Sequence, residues 1–210
     1  MTIRRRKKVP YTKLSSVPSD EDVIQLYEKR EVIFKSKVWG FDLPEKDFIK
    51  GMAYLTSQSY GPRIQNYIRE ILVWKKVKAA EMRGDIAKPL LVTPNLRFVE
   101  VKTSILSATN NFLNMVQIRL FHDIDYYLCC AYDLRDPLNY ESFMFLLTHD
   151  QMVEECEDAN AAHGTKSVNE LNKNVELRLS VTCDEGDPDF ERWKKMYRVD
   201  SYEGIEKGVL

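Results

Sequence analysis

Three side chains within one short stretch could do chemistry together. Asp85 stands directly after Gly84, and Glu100 and Lys102 follow two residues apart in "RFVEVKTS". In an extended strand, residues i and i+2 project to the same side about 6.6 Å apart. Glu100 and Lys102 therefore share one sheet face while Val99 and Val101 take the other. A carboxylate and an ammonium so placed fit two readings: an ordinary ion pair, or a metal ligand beside a positioned amine. The acid-x-Lys triplet does not choose between them, because composition alone generates a few in a chain like this.

The flanking residues bear on the choice. Asp85 heads a short strand beginning at Ile86, and "PLLVTPN" supplies the turn that returns a second strand beside it. Such a hairpin juxtaposes Asp85 with Glu100. Adjacent carboxylates repel unless a cation neutralises them, and Mg²⁺ takes one or two carboxylates with waters and phosphate oxygens in an octahedral array. The three residues are thus self-consistent as a Mg²⁺ phosphodiesterase centre. There the metal lowers the pKa of a bound water and stabilises the transition state. Lys102 orients or deprotonates the water, or offsets developing phosphate charge.

These residues need elements to hold them. "SDED" offers an N-cap at Ser19 or Asp20 for a first helix running through Val23, Ile24, Leu26 and Tyr27. "GPRIQNYIREILVWKKVKAAEM" predicts a second helix, with Pro62 in its first turn and Ile64, Ile68, Ile71 and Leu72 as its apolar stripe. "PNLRFVEVKTSIL" reads as the strand carrying Glu100 and Lys102. From Ser107 to Leu120, Phe112, Leu113, Val116 and Leu120 recur at helical spacing, with Asn110, Asn114 and Gln117 on another face, so a helix is expected after that strand.

"IDYYLCCAYDL" is too continuously apolar for a half-exposed strand and predicts a central one beside the first, with "ESFMFLLT" as its neighbour. A helix at "HDQMVEECEDA" and a loop at "NAAHGTKSVNELNKN" follow. In "VELRLSV", Val175, Leu177, Leu179 and Val181 alternate with Glu176, Arg178 and Ser180, the pattern of a strand at an edge or margin. A closing helix is expected around Phe190, Trp193, Met196 and Tyr197. The class is α/β, a mixed central sheet flanked by helices, with strand-helix-strand at its centre.

A chain of 210 residues suits one globular domain: a basic arm over 1–18 and a single domain over 19–210. Apolar runs of eighteen residues are absent, and "MTIRRRKKVP" lacks the apolar stretch of a secretory signal, so the expectation is an intracellular protein with no membrane contact. Four cysteines, two of them adjacent as Cys129 and Cys130, fit reduced core residues better than disulfides or zinc ligands. A net charge of -1 does not announce a nucleic-acid binder, but Arg4, Arg5, Arg6, Lys7 and Lys8 form a cationic arm of the kind that attracts DNA, and Lys75, Lys76 and Lys78 form a second basic cluster.

Gly84-Asp85, a hairpin-sized gap, Glu100-Val101-Lys102, then an amphipathic helix and an apolar strand together resemble the PD-(D/E)XK nuclease superfamily, and within it type II restriction endonucleases. The resemblance spans roughly 60–134 and implies a restriction-endonuclease-like core. It implies that Asp85 and Glu100 hold Mg²⁺, for which Mn²⁺ can substitute, that the Val101 carbonyl also ligates, and that Lys102 is the catalytic lysine. Gly84 departs from the motif, standing where a proline is usual. A glutamate on the helix before the first acid often joins such sites; Glu70 is the candidate, although helical register equally favours the neutral Gln65. Gln117 corresponds to a polar residue that approaches the site in relatives.

The resemblance further implies double-stranded DNA as substrate, a homodimer, and a cytoplasmic protein of prokaryotic or phage origin. The alternatives are a nuclease of the same fold in DNA repair, recombination or transposition, and a catalytically inactive DNA-binding relative. No G-x-x-x-x-G-K loop occurs, so no nucleotide cofactor is expected. Arg119 is placed to meet a phosphate. His163, Thr165, Lys166 and Asn169 lie in a polar loop with no acid between His163 and Asn169, within a recognition region over 141–182, and suit phosphates and base edges. His122 and Asp123, as sequence neighbours, point different ways and are read as structural.

Overall fold

Residues 45–53, 55–90, 96–136, 140–163, 166–167 and 175–210 are described by a computed structural model. The elements in chain order are α1 (Glu45–Met52), α2 (Ser57–Leu72), β1 (Lys75–Lys76), β2 (Ile86–Pro89), β3 (Leu96–Leu106), β4 (Phe112–Ile118), β5 (Tyr126–Asp133) and β6 (Glu141–Thr148). They continue with α3 (His149–Asp158), β7 (Ala162–His163), β8 (Lys166–Ser167), β9 (Leu177–Thr182), α4 (Pro188–Met196), β10 (Arg198–Val199) and α5 (Tyr202–Gly208). The basic arm and the helix expected from Ser19 lie outside the described residues.

The strands form two sheets. The larger runs β1-β2-β3-β5-β6-β10 and is mixed: β3 and β5 are parallel, and every other neighbouring pair is antiparallel. The continuous apolar run in β5 has a direct cause, since both faces of this sheet are covered. Leu128, Cys130 and Tyr132 face a core shared with α1, α2 and α5, where Phe48, Ile49, Ile64 and Ile68 pack. Tyr127, Cys129 and Ala131 face the opposite core, built with Leu113, Met115, Leu179 and Val181 of the second sheet and with Met152 and Trp193 of α3 and α4. All four cysteines are buried and free.

The second sheet, β4-β9-β7-β8, replaces two expectations. No helix spans 107–120: Phe112–Ile118 is a strand, so β3 and β5 are joined through a strand of another sheet, not through a crossover helix. Leu113 and Met115 are buried at a spacing of two, and a register shift between Met115 and Ile118 then returns Ile118 to the same buried face. One inserted residue converts strand alternation into something resembling a helical repeat. Strand β9 shows the expected alternation, but it pairs with β4 on one side and, through Ala162 with Arg178, with β7 on the other. It is therefore internal, not marginal.

Helix α2 begins at Ser57, behind Thr56 as N-cap residue, which puts Pro62 beyond the first turn. It also ends earlier than "KVKAAEM". Val73 adopts a left-handed conformation, φ 55°, and the Val73 and Trp74 amides close on the carbonyls of Glu70 and Arg69. The chain then leaves as β1, whose Lys75 and Lys76 are exposed. Helices α3 and α4 are locked by the buried Glu155, whose carboxylate accepts hydrogen bonds from Arg192, from Trp193 Nε1 at 2.8 Å and from the Tyr197 hydroxyl at 2.7 Å.

Candidate active site

The antiparallel hairpin of β2 and β3 pairs Ile86 with Val99 and Ala87 with Phe98. One step further along that register, Asp85 stands opposite Glu100. The Asp85 amide donates to the Val99 carbonyl at 3.0 Å, and its carboxylate Oδ2 accepts the Val101 amide at 2.9 Å. Gly84 makes this approach. Its φ is +89°, and a Cβ there would sit 2.9 Å from both the carbonyl carbon and the oxygen of Val99. Proline, with φ fixed near −65°, could not occupy this position. The glycine that departs from the motif is thus what this backbone demands.

Lys102 shares the face of Glu100, as two-residue strand spacing requires. Its ammonium lies 2.6 Å from Glu100 Oε1 and donates to the Gln117 carbonyl at 2.9 Å. Gln117 is the inserted residue of β4 and takes a left-handed φ of +57°. The bulge turns a main-chain acceptor onto the lysine. On the other side of β3, Gln65 Nε2 of α2 donates to the Val101 carbonyl at 3.2 Å.

Glu100 is 4% exposed, yet it points at charged partners and not into the apolar core. Burial first and the Glu100 carboxylate second push the Asp85 carboxyl up to about 6, against the Val101 amide, Lys102 and Arg119, which favour its ionised form. Burial and the Arg119 charge lower the His122 imidazole, while Glu100 works the other way. A simple ion pair needs one acid and one base. Here two carboxylates share one ammonium, with Arg119 acting from further off.

That excess of negative charge fits a divalent cation. Asp85 and Glu100 provide carboxylate oxygens and Val101 a main-chain carbonyl, a donor set suited to Mg²⁺ and too hard for soft-metal chemistry. Among the described residues no group of three or more His, Cys, Asp or Glu forms a fuller cage. Mg²⁺ does not require one, since it retains waters and takes phosphate oxygens.

The other expected residues separate. Glu70 pairs with Arg69 on α2 and makes no contact with Asp85, Glu100 or Lys102; five residues earlier on the helix, Gln65 reaches the site. Gln117 arrives through its main-chain carbonyl. Arg119 is ion-paired to Glu176 at 2.7 Å and remains within electrostatic reach of Asp85. In the turn after it, the Asp123 amide donates to Met82 and its carboxylate pairs with Arg83 at 3.1 Å, while His122 lies within electrostatic reach of Glu100 and Lys102. Thr165 and Asn169 lie outside the described residues. His163 and Lys166 form a short β7-β8 ladder with each other.

A cavity of about 570 Å³ opens beside Lys102, between the N-terminal half of α2, β3, β4 and Arg178 of β9. Asn110, Asn114 and Gln117, which the spacing groups on one face of a helix, line it together although the segment from Phe112 to Ile118 is a strand. The chain matches no protein-family model, no curated protein and no solved structure. Among the described residues no helix is long and apolar enough to cross a membrane.

Proposed function

We propose that this chain is a Mg²⁺-dependent endonuclease that hydrolyses phosphodiester bonds of double-stranded DNA, with a restriction-endonuclease-like core formed by the β2-β3 hairpin and the parallel strand β5. The observation that carries this reading is the placement of Asp85 opposite Glu100 with Lys102 on the same sheet face, 2.6 Å from one of the two acids.

A cation held by Asp85, Glu100 and the Val101 carbonyl supplies Lewis-acid activation of water and neutralises phosphate charge. The chain's own groups do the rest. The Val101 amide fixes one Asp85 oxygen, so the other would be the one to hold the cation. Glu100 and the Gln117 carbonyl hold the Lys102 ammonium from two sides, so it meets the scissile phosphate at a set position without reorganising. Lys102 there orients the nucleophile and offsets charge developing on the phosphoryl oxygens. Gln65 steadies the Val101 carbonyl from behind.

One such centre cuts one strand, so a double-strand break calls on two copies, and a homodimer acting on a two-fold symmetric DNA site belongs to this reading. The test is plasmid cleavage in Mg²⁺ and Mn²⁺ by wild type, Asp85→Ala and Glu100→Ala. The expected result is discrete metal-dependent products for the wild type and none for either folded variant. Cleavage by both variants at the wild-type rate would refute the assignment, and wild type that binds DNA without cutting would leave a binding protein with the same carboxylate site.

A further inference from the structure

We propose that the cavity beside Lys102 is a nucleotide-reading pocket, which takes one nucleotide of the bound DNA strand and presents Gln117 and Arg178 to its base. The inference rests on the reading of Asp85, Glu100 and Lys102 as the cleavage centre, and it moves sequence recognition from the loop at 163–169 to the β4-β9 sheet. The pocket's 570 Å³ falls within the size range of small-ligand sites, roughly 300–1,000 Å³. It accommodates a unit the size of a nucleotide and not a whole duplex.

The lining chemistry selects among ligands of that size. Five amide-bearing residues line the cavity, Gln58, Gln65, Asn110, Asn114 and Gln117, together with the cations Lys102 and Arg178. No Asp or Glu lines it among the described residues. Primary amides present a donor and an acceptor side by side, the complement of an adenine edge, and a guanidinium complements guanine. An acid-free wall carrying two cations admits a phosphate backbone.

The cavity wall beside Arg178 is also held in place. Asn114 Oδ1 accepts from Ser180 Oγ at 2.8 Å and from Arg178 at 3.2 Å, and its Nδ2 donates to Asn110 Oδ1 at 3.2 Å. Its main chain is clamped by Ser104 Oγ, which accepts the Asn114 amide at 2.8 Å and donates to its carbonyl. Such fixed polar groups are what base discrimination requires. Gln117 joins reading to chemistry, because it lines the cavity while its carbonyl holds the Lys102 ammonium. A base seated against Gln117 therefore bears directly on the position of the catalytic amine.

The experiment uses the full chain and a fluorescein-labelled random-sequence duplex pool. Binding is followed by anisotropy in Ca²⁺, cleavage in Mg²⁺, and the bound fraction is sequenced. The variants are Arg178→Gln and Gln58→Ala, with Lys195→Gln, an exposed cation on α4, as the control for general loss of charge; thermal melts confirm folding. Arg178→Gln should weaken binding about tenfold or more and alter the enriched sequences, whereas Lys195→Gln should do neither. Wild-type affinity and unchanged enriched sequences for both cavity variants would overturn the pocket while leaving cleavage intact. Wild type that binds through these residues yet never cuts would keep the pocket and remove the nuclease reading. Wild type that neither binds nor cuts the pool would remove both.

Discussion

The ammonium of Lys102 is held by the main chain of Gln117: Nζ donates to the Gln117 carbonyl at 2.9 Å, and that carbonyl is aimed by a bulge residue with φ +57°. A left-handed conformation is costly for a residue with a Cβ, and such costs concentrate at functional sites. The β4 bulge thus serves both the buried face of the strand, by returning Ile118 to the core, and the site, by supplying an acceptor to the lysine.

Gln117→Gly separates these roles. Glycine takes positive φ without penalty and keeps the carbonyl, so urea denaturation should show a gain of about 0.5–1 kcal/mol. Lys102 stays in place and cleavage continues, while discrimination between DNA sequences relaxes. A loss of stability would mean that side-chain contacts of Gln117 outweigh its backbone strain.

Gly84→Ala should act in the opposite direction. The added Cβ meets backbone atoms of Val99 at 2.9 Å, which cannot rotate away, and φ +89° strains any L residue. A loss on the order of 2–3 kcal/mol is expected, with Asp85 displaced from Glu100 and metal-dependent cleavage impaired. Equal stability and activity for the variant would show that the hairpin can open at this point without consequence.

The hairpin and its three charged residues were legible in the sequence because two-residue alternation around Glu100, and the turn before it, each point to the same geometry. The same holds for β5, β6, α3 and α4, whose apolar patterns are unbroken. Strand β4 was not legible, since its inserted residue shifts Val116 and Gln117 out of alternation and leaves Phe112, Leu113 and Val116 at apparent helical spacing. The choice between Glu70 and Gln65 needed the rotation of α2 about its axis, which packing of Ile64 and Ile68 sets and single-chain periodicity does not. The contact of Asn114 with Arg178 was hidden for a related reason: the two residues meet only because β4 pairs with β9.

Asp85 makes stability depend on pH in an unusual direction. Its folded carboxyl is pushed up to about 6 by burial and by Glu100, above the ordinary carboxylate value of 3.8, so between those values the folded chain binds more protons than the unfolded one. Stability contributed by this group is present in full below the unfolded value and lost as pH rises through the folded value, at most about 3 kcal/mol. Urea denaturation in EDTA should therefore show wild type losing this contribution between about pH 4 and pH 6, with Asp85→Asn lacking that slope because its amide oxygen can accept the Val101 amide without charge. Mg²⁺ should flatten the wild-type slope by neutralising the carboxylate. Identical profiles for the two proteins would mean that neither burial nor Glu100 raises the Asp85 carboxyl.

Lys102→Ala distinguishes a catalytic centre from a buried ion pair. Removing the ammonium leaves Glu100 and Asp85 facing each other with no amine between them, and breaking a buried pair by deleting one partner costs about 3 kcal/mol or more. If Asp85 and Glu100 form a cation site, Ca²⁺ should restore much of that loss, and the thermal shift it produces should be larger in the variant than in wild type because the site is more negative without the lysine. DNA binding in Ca²⁺ should survive, since the cation screens the carboxylates from phosphate. Cleavage in Mg²⁺ should fall by about two orders of magnitude, the scale for an electrostatic group aimed at the transition state. A variant that is destabilised, indifferent to Ca²⁺ and equal to wild type in cleavage would identify Glu100 and Lys102 as a structural pair and place any phosphodiester chemistry elsewhere.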